Sequence, residues 1–231
     1  FPNSVEYWGP NGMAFFRNVQ FRYMPIKGDT RLTFALERPG ASADAGEYSN
    51  RVELQDVKAR FPVPDLSAEY RSAHDWGYVE LAGIVRYMKW EDLNEEDETD
   101  LGGDAIGWGL NLSSNLQLGK DNLIRLSVLY GAGVQNYMND APVDVAIDTT
   151  ERNGVAIPLV GAVLFFEHNW SEKFATAIGY SMLDIDNTNG QSYDAFSMGS
   201  YALGNIIYYP VENVMMVAEL QWGNRENFGD Y

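Results

Sequence analysis

Residues 105–131 read Ala105-Ile-Gly-Trp-Gly-Leu-Asn-Leu-Ser-Ser-Asn-Leu-Gln-Leu-Gly-Lys-Asp-Asn-Leu-Ile-Arg-Leu-Ser-Val-Leu-Tyr-Gly131. Ile106, Trp108, Leu110 and Leu112 alternate with Gly107, Gly109, Asn111 and Ser113. After the turn residues Gly119-Lys120-Asp121, Ile124, Leu126, Val128 and Tyr130 alternate with Arg125, Ser127 and Gly131. A period of two on both sides of a tight turn predicts an antiparallel hairpin with one apolar and one polar face. The same pattern runs outward in both directions. Upstream, Val19, Phe21 and Tyr23 oppose Asn18, Gln20 and Arg22 in a run from Met13 to Met24, and Leu32, Phe34 and Leu36 oppose Arg31, Thr33 and Glu37. Leu66, Ala68 and Tyr70 then oppose Ser67, Glu69 and Arg71, and Val79, Leu81, Val85 and Tyr87 oppose Glu80, Ala82, Arg86 and Met88. Downstream, Phe174, Ile178 and Tyr180 oppose Ala175, Ala177, Gly179 and Ser181, and Met216, Ala218, Leu220 and Trp222 oppose Glu219 and Gln221. The runs 155–170 and 195–209 are apolar enough to be ambiguous in phase; Glu167 and Asn205 are placed on the polar side.

Ten strands result, most longer than the roughly 5–6 residues usual in soluble sheets. Their connections alternate: short turns near 25–29, 74–77, 119–121, 171–173 and 210–213, long polar stretches near 38–64, 91–104, 138–154 and 185–194. Short turns at one end and long loops at the other are the pattern of an antiparallel transmembrane β-barrel. Tyr23, Trp76, Tyr78, Trp170, Tyr208 and Tyr209 fall beside the short turns, and Tyr87, Trp90, Trp108, Tyr130, Tyr137, Tyr180 and Trp222 near the long loops, as interfacial aromatic girdles would. Leu54, Val57 and Phe61, ahead of Pro62, predict a short helix in the first long connection.

Composition narrows the function classes. The chain has 231 residues, 33 acidic against 16 basic, a net charge of −17 and no cysteine, which argues against general nucleic-acid binding and excludes disulfides and Cys-based metal sites. The longest apolar stretch, 154–166, is interrupted by Pro158, so no helical span is predicted. His74 and His168 lack a triad or metal-ligand pattern; neither an enzyme, a metal centre nor a cofactor is expected. Eight acids without a Lys or Arg occupy Glu91 to Asp104. They read first as a solvated, self-repelling loop and second as carboxylates bridged by divalent ions to lipopolysaccharide. Asp184-Ile-Asp-Asn-Thr-Asn-Gly190 lacks the closing Glu of a calcium loop.

The opening, Phe1-Pro-Asn-Ser-Val-Glu-Tyr-Trp-Gly-Pro-Asn-Gly12 followed by Met13-Ala-Phe-Phe-Arg-Asn18, resembles the end of the constriction loop of trimeric outer-membrane porins and the strand after it. Asp75-Trp-Gly-Tyr-Val-Glu-Leu-Ala-Gly-Ile-Val-Arg86, Gly107-Trp-Gly-Leu-Asn-Leu112 and the run from Tyr209 to Arg225 make the chain look most like the DcaP-like porins. That resemblance implies residues 1–12 as the end of the constriction loop and 13–231 as part of one barrel domain. It also implies strands six to fifteen of a sixteen-stranded porin, an internal fragment, a bacterial outer-membrane location, contacts with lipid and lipopolysaccharide, and a homotrimer. It implies passive diffusion of small hydrophilic solutes, with anionic or dicarboxylic ones favoured.

Strand parity puts Arg22, Arg31, Arg71, Arg86 and Arg125 on the polar, pore-lining side, since a charge facing lipid costs roughly 2–4 kcal/mol at mid-depth. Glu37, Glu69, Glu80, Glu167 and Glu219 share that side. By the resemblance Glu6 is the loop acid and Arg17, Arg22 and Arg31 belong to a basic wall, although strict alternation sends Arg17 outward. Gly107, Gly109, Ser113, Ser127, Ala175, Gly179 and Ser181 on the polar face fit an open lumen. The rival readings are a barrel that does not transport, with a structural or adhesive role, and a secreted all-β sugar-binding protein.

Overall fold

The computed structural model describes residues 2–5, 9–54, 60–94, 96 and 98–230. The strands are β1 (Gln20–Ile26), β2 (Thr30–Glu37), β3 (Ala43–Asp44), β4 (Val52–Glu53), β5 (Asp65–His74), β6 (Gly77–Asp92), β7 (Gly103–Leu118), β8 (Asn122–Ala132), β9 (Val145–Asp148), β10 (Asn153–Ala156), β11 (Pro158–Asn169), β12 (Phe174–Ile185), β13 (Phe196–Tyr208) and β14 (Met216–Asn227). The ten long ones form one antiparallel sheet in the order β1-β2-β5-β6-β7-β8-β11-β12-β13-β14, and each of the ten expected strands is present. Among the described residues β1 and β14 each have a single neighbour.

The observed registers make the parity physical. Leu81 lies opposite both Tyr70 and Leu112, and Leu112 opposite Val128, so one face is continuous apolar surface. Phe21, Phe34, Leu66, Leu81, Leu110, Val128, Leu164, Ile178, Ile206 and Leu220, one from each long strand, are 42–83% exposed on it. On this outer face Lys89, Glu91, Asp104, Asp184 and Glu226 all sit at strand ends beside long connections. Among the described residues no helix is long and apolar enough to cross a membrane.

The inner face is partly covered. Residues 9–15, expected to begin a strand at Met13, instead cross it: Ala14 bridges to Met138, and Phe15 N–H donates to Tyr137 O at 2.9 Å. Gly12 permits this close approach. It has φ +71°, and a Cβ there would lie 2.1 Å from Met182 O. The 133–157 connection also folds inward, setting Val134, Met138 and Ile157 against Leu129, Leu159 and Leu183. This resolves the ambiguous 155–170 run. Leu159, Val163 and Phe165 face inward under these covers, in phase with Glu167, while Leu164 and Phe166 face out.

The long connections hold more structure than periodicity suggests. β9 pairs with β10 and, in parallel, with β3, and β4 adds to the end of β6. Three expected girdle aromatics are corrected. Trp90 is buried at 2% exposure and its indole donates to Leu101 O at 2.9 Å. Tyr137 sits in an inward 3-10 turn (Gln135–Tyr137), and Tyr78 carries the Arg71 guanidinium over its ring. Tyr23, Trp76, Trp170, Tyr130 and Trp222 are exposed as expected. Of the helix expected over Leu54, Val57 and Phe61, residues 55–59 lie outside the described residues.

An outward apolar face predicts a directional cost. Leu164→Arg should lower stability by about 2–4 kcal/mol, read as a reduced urea midpoint for protein folded into lipid vesicles.

Candidate functional site

The ion pairs of Arg31, Arg71, Arg86 and Arg125 on the inner face form three groups. On β2, β5 and β6, Arg31 donates to Glu69 through Nε at 2.8 Å and lies 3.5 Å from Glu80. Arg71 lies 3.6 Å from Glu80 and stacks 3.7 Å from the Tyr78 ring centroid. These two arginines alternate with two glutamates, so Arg31, of the three arginines expected in a basic wall, is internally neutralised.

The second group fixes the N-terminal segment. Arg125 holds Glu167 bidentately at 2.7 and 3.1 Å. The same carboxylate accepts the Asn3 backbone N–H at 2.9 Å and Asn3 Nδ2 at 3.1 Å. Asn205 Nδ2 donates to Asn3 O at 2.7 Å, and Ser181 Oγ donates to Asn11 Oδ1 at 2.7 Å.

The third group corrects the pore-lining expectation for Arg86. Its side chain is 1% exposed. It donates to Asp65 at 2.9 Å, Asp144 at 2.8 Å and Gly133 O at 2.7 Å, and also to Gly40 O. Asp65 further accepts the Tyr137 hydroxyl at 2.9 Å; Asp144 accepts the N–H groups of Ser42 and Asn136 at 2.9 and 3.0 Å. Burial, then the nearby Asp65 charge, pushes the Tyr137 phenol well above its ordinary value, so it stays protonated as the donor. Burial raises the Asp144 carboxyl too, against the opposing pull of Arg86.

Arg22 is the pore-side guanidinium expected from parity that has no carboxylate partner among the described residues; its Nε donates to Gln20 Oε1 at 3.1 Å. It borders a cavity of about 310 Å³ between the inner face of β1, β2 and β5–β8 and the segment bearing Phe15 and Phe16. Small residues, Ala35, Ala82, Gly83 and Gly109, form much of its floor, and Tyr137 closes one side. Arg17 lies ahead of β1 rather than on the ladder, exposed, with its guanidinium 5.7 Å from the Phe15 ring centroid; its strand parity therefore does not apply. Glu6 lies outside the described residues.

Sequence reading missed the inward connection that supplies Asp144 and Tyr137; only the apolar phase of 155–170 hinted that something covers the inner face. It also missed that the acidic run is anchored. Asp92 binds Arg51 at 2.7 Å and Glu91 pairs with Arg60. Ser72 Oγ and His74 Nε2 lie 3.0 Å apart, with His74 stacked on Trp76. No carboxylate hydrogen-bonded to His74 completes a triad there among the described residues. Among those residues no group of three His, Asp or Glu side chains is arranged to hold a metal.

This arrangement, an antiparallel sheet with an apolar exterior and charged, loop-covered interior, is that of an outer-membrane β-barrel. No family model and no curated protein matches the chain. Among solved structures, it is similar to the outer membrane channel DcaP of Acinetobacter baumannii, with TM-score 0.82 at 16% identity, covering 100% of this chain and 63% of that one. It is also similar to OmpT, an outer membrane protein of Vibrio cholerae, with TM-score 0.57 at 10% identity, covering 99% of this chain and 64% of that one. The chain thus has the fold of DcaP and spans 63% of that protein's resolved chain.

Removing Arg86 strands two buried carboxylates, so Arg86→Ala should cost about 3–5 kcal/mol and open 133–157 to limited proteolysis. Arg22→Ala should change stability by no more than about 0.5 kcal/mol. Urea midpoints and peptide mapping check both.

Proposed function

We propose that this chain forms part of a porin-like channel for passive diffusion of small hydrophilic solutes across a bacterial outer membrane. The observation that carries the reading is the pairing of an apolar outer face with a charged inner face enclosing a solvent-sized cavity. The likeness to the DcaP channel supports it. In this reading the segment ending at Asn18 narrows the lumen. A guanidinium is a strong carboxylate partner, and with Arg31, Arg71 and Arg125 already paired, a preference for carboxylate-bearing solutes rests on Arg22. With the reading go contacts with lipid and lipopolysaccharide and assembly as a homotrimer, which cross-linking in detergent tests.

A second reading, a barrel that does not transport, is favoured by one observation: residues 9–15 and 133–157 cover much of the inner face of β8 and β11–β13. Planar-bilayer recording separates the two. The channel reading expects discrete conductance steps in potassium chloride, with carboxylate flux reduced in Arg22→Ala and less so in Arg31→Ala. Silence under all conditions favours the plugged barrel, and unchanged carboxylate flux in both variants removes the arginine preference.

A further inference from the structure

The cavity beside Arg22 carries a second unpaired charge. Glu37, on β2, accepts a hydrogen bond from Ser67 Oγ but pairs with no Arg or Lys among the described residues. The β1–β2 register places Gln20 opposite Glu37 and Arg22 opposite Ala35. Arg22 and Glu37 are therefore diagonal neighbours on one face, a spacing of roughly 7–8 Å between strand positions. Both line the cavity, with Phe15, Phe16 and Ile84 as its apolar wall. Thr33, the next inward position on β2 beyond Ala35 and on the side away from Glu37, is 4% exposed; its hydroxyl has no hydrogen-bond partner among the described residues and belongs to the same lining.

From this geometry we infer that the cavity is a binding site for small zwitterions with an apolar side chain, of the amino-acid class. The inference rests on the channel reading for its biological setting and deepens it. The solute carboxylate meets Arg22, its ammonium meets Glu37, its apolar part lies on Phe15 and Phe16, and Thr33 supplies a hydroxyl partner. A dicarboxylate is the poorer fit. Its second negative group would face Glu37, with Glu69 and Glu80 also in the lining, and unscreened like charges inside a partly desolvated cavity repel. A bare ammonium compound leaves Arg22 unanswered. A zwitterion matches both charges without changing the net charge of the cavity, the electrostatic complementarity that gives specificity.

The test uses three probes of one shape: phenylalanine, 3-phenylpropionate and phenethylamine. Each is titrated calorimetrically into the detergent-solubilised protein, a readout independent of conduction. Phenylalanine should bind about tenfold tighter than either singly charged probe, the scale of one charge-assisted hydrogen bond. Glu37→Gln should abolish its advantage over phenylpropionate, and Arg22→Gln its advantage over phenethylamine. Equal or tighter binding of phenylpropionate by the unaltered protein, no binding of phenylalanine, or a Glu37→Gln variant that still prefers phenylalanine overturns the inference. Potassium chloride conductance, recorded separately without any probe, decides the channel reading, so either idea can fail alone.

Discussion

The interior of this protein is organised around one guanidinium taken out of water. Arg86 projects from β6 and binds Asp65 on the neighbouring strand, Asp144 and Gly133 in the connection between β8 and β11, and Gly40 in the connection between β2 and β5. A buried charge is tolerated only when its donors are answered, and the partners here come from two chain segments remote from Arg86 in sequence. Satisfying it therefore brings both long connections over the inner face. The small β3-β9-β10 sheet, the apolar cluster around Val134 and Ile157, and the position of Tyr137 follow from that placement.

The cavity is a consequence of the same constraint. Tyr137 is fixed by its bond to Asp65 and packs edge-on against Phe16 at 5.3 Å, while Phe15 bonds its backbone. The N-terminal segment is tied at its other end through Asn3 to Glu167 and Asn205. With the β11–β13 side covered, the open inner surface lies over β1, β2 and β5–β7, where small side chains leave room. Charge on that surface is locally balanced by Arg31, Arg71, Glu69 and Glu80. The charges left without an ion-pair partner on it, among the described residues, are Arg22 and Glu37.

Much of the fold was legible because a strand has an exact period of two and lipid tolerates few polar side chains. Every phased strand showed its expected face, Glu167 and Asn205 included. The site was less legible. Arg22, Arg31, Arg71, Arg86 and Arg125 look alike by parity, yet one is open, three are paired at the surface and one is sealed. Trp90 and Tyr137 stood where interfacial aromatics belong, but both are held inside by hydrogen bonds, Trp90 to Leu101 O in the loop after its own strand and Tyr137 to Asp65, 72 residues away.

The amino-acid sequence by itself determined the ten long strands, which face of each is apolar and the alternation of short and long connections, because these follow from local periodicity and turn chemistry. The tertiary structure alone decided which inner charges are available. That depends on which loops fold inward, and inward folding is set by long-range bonds such as Arg86 to Asp144, which leave no periodic trace in the chain.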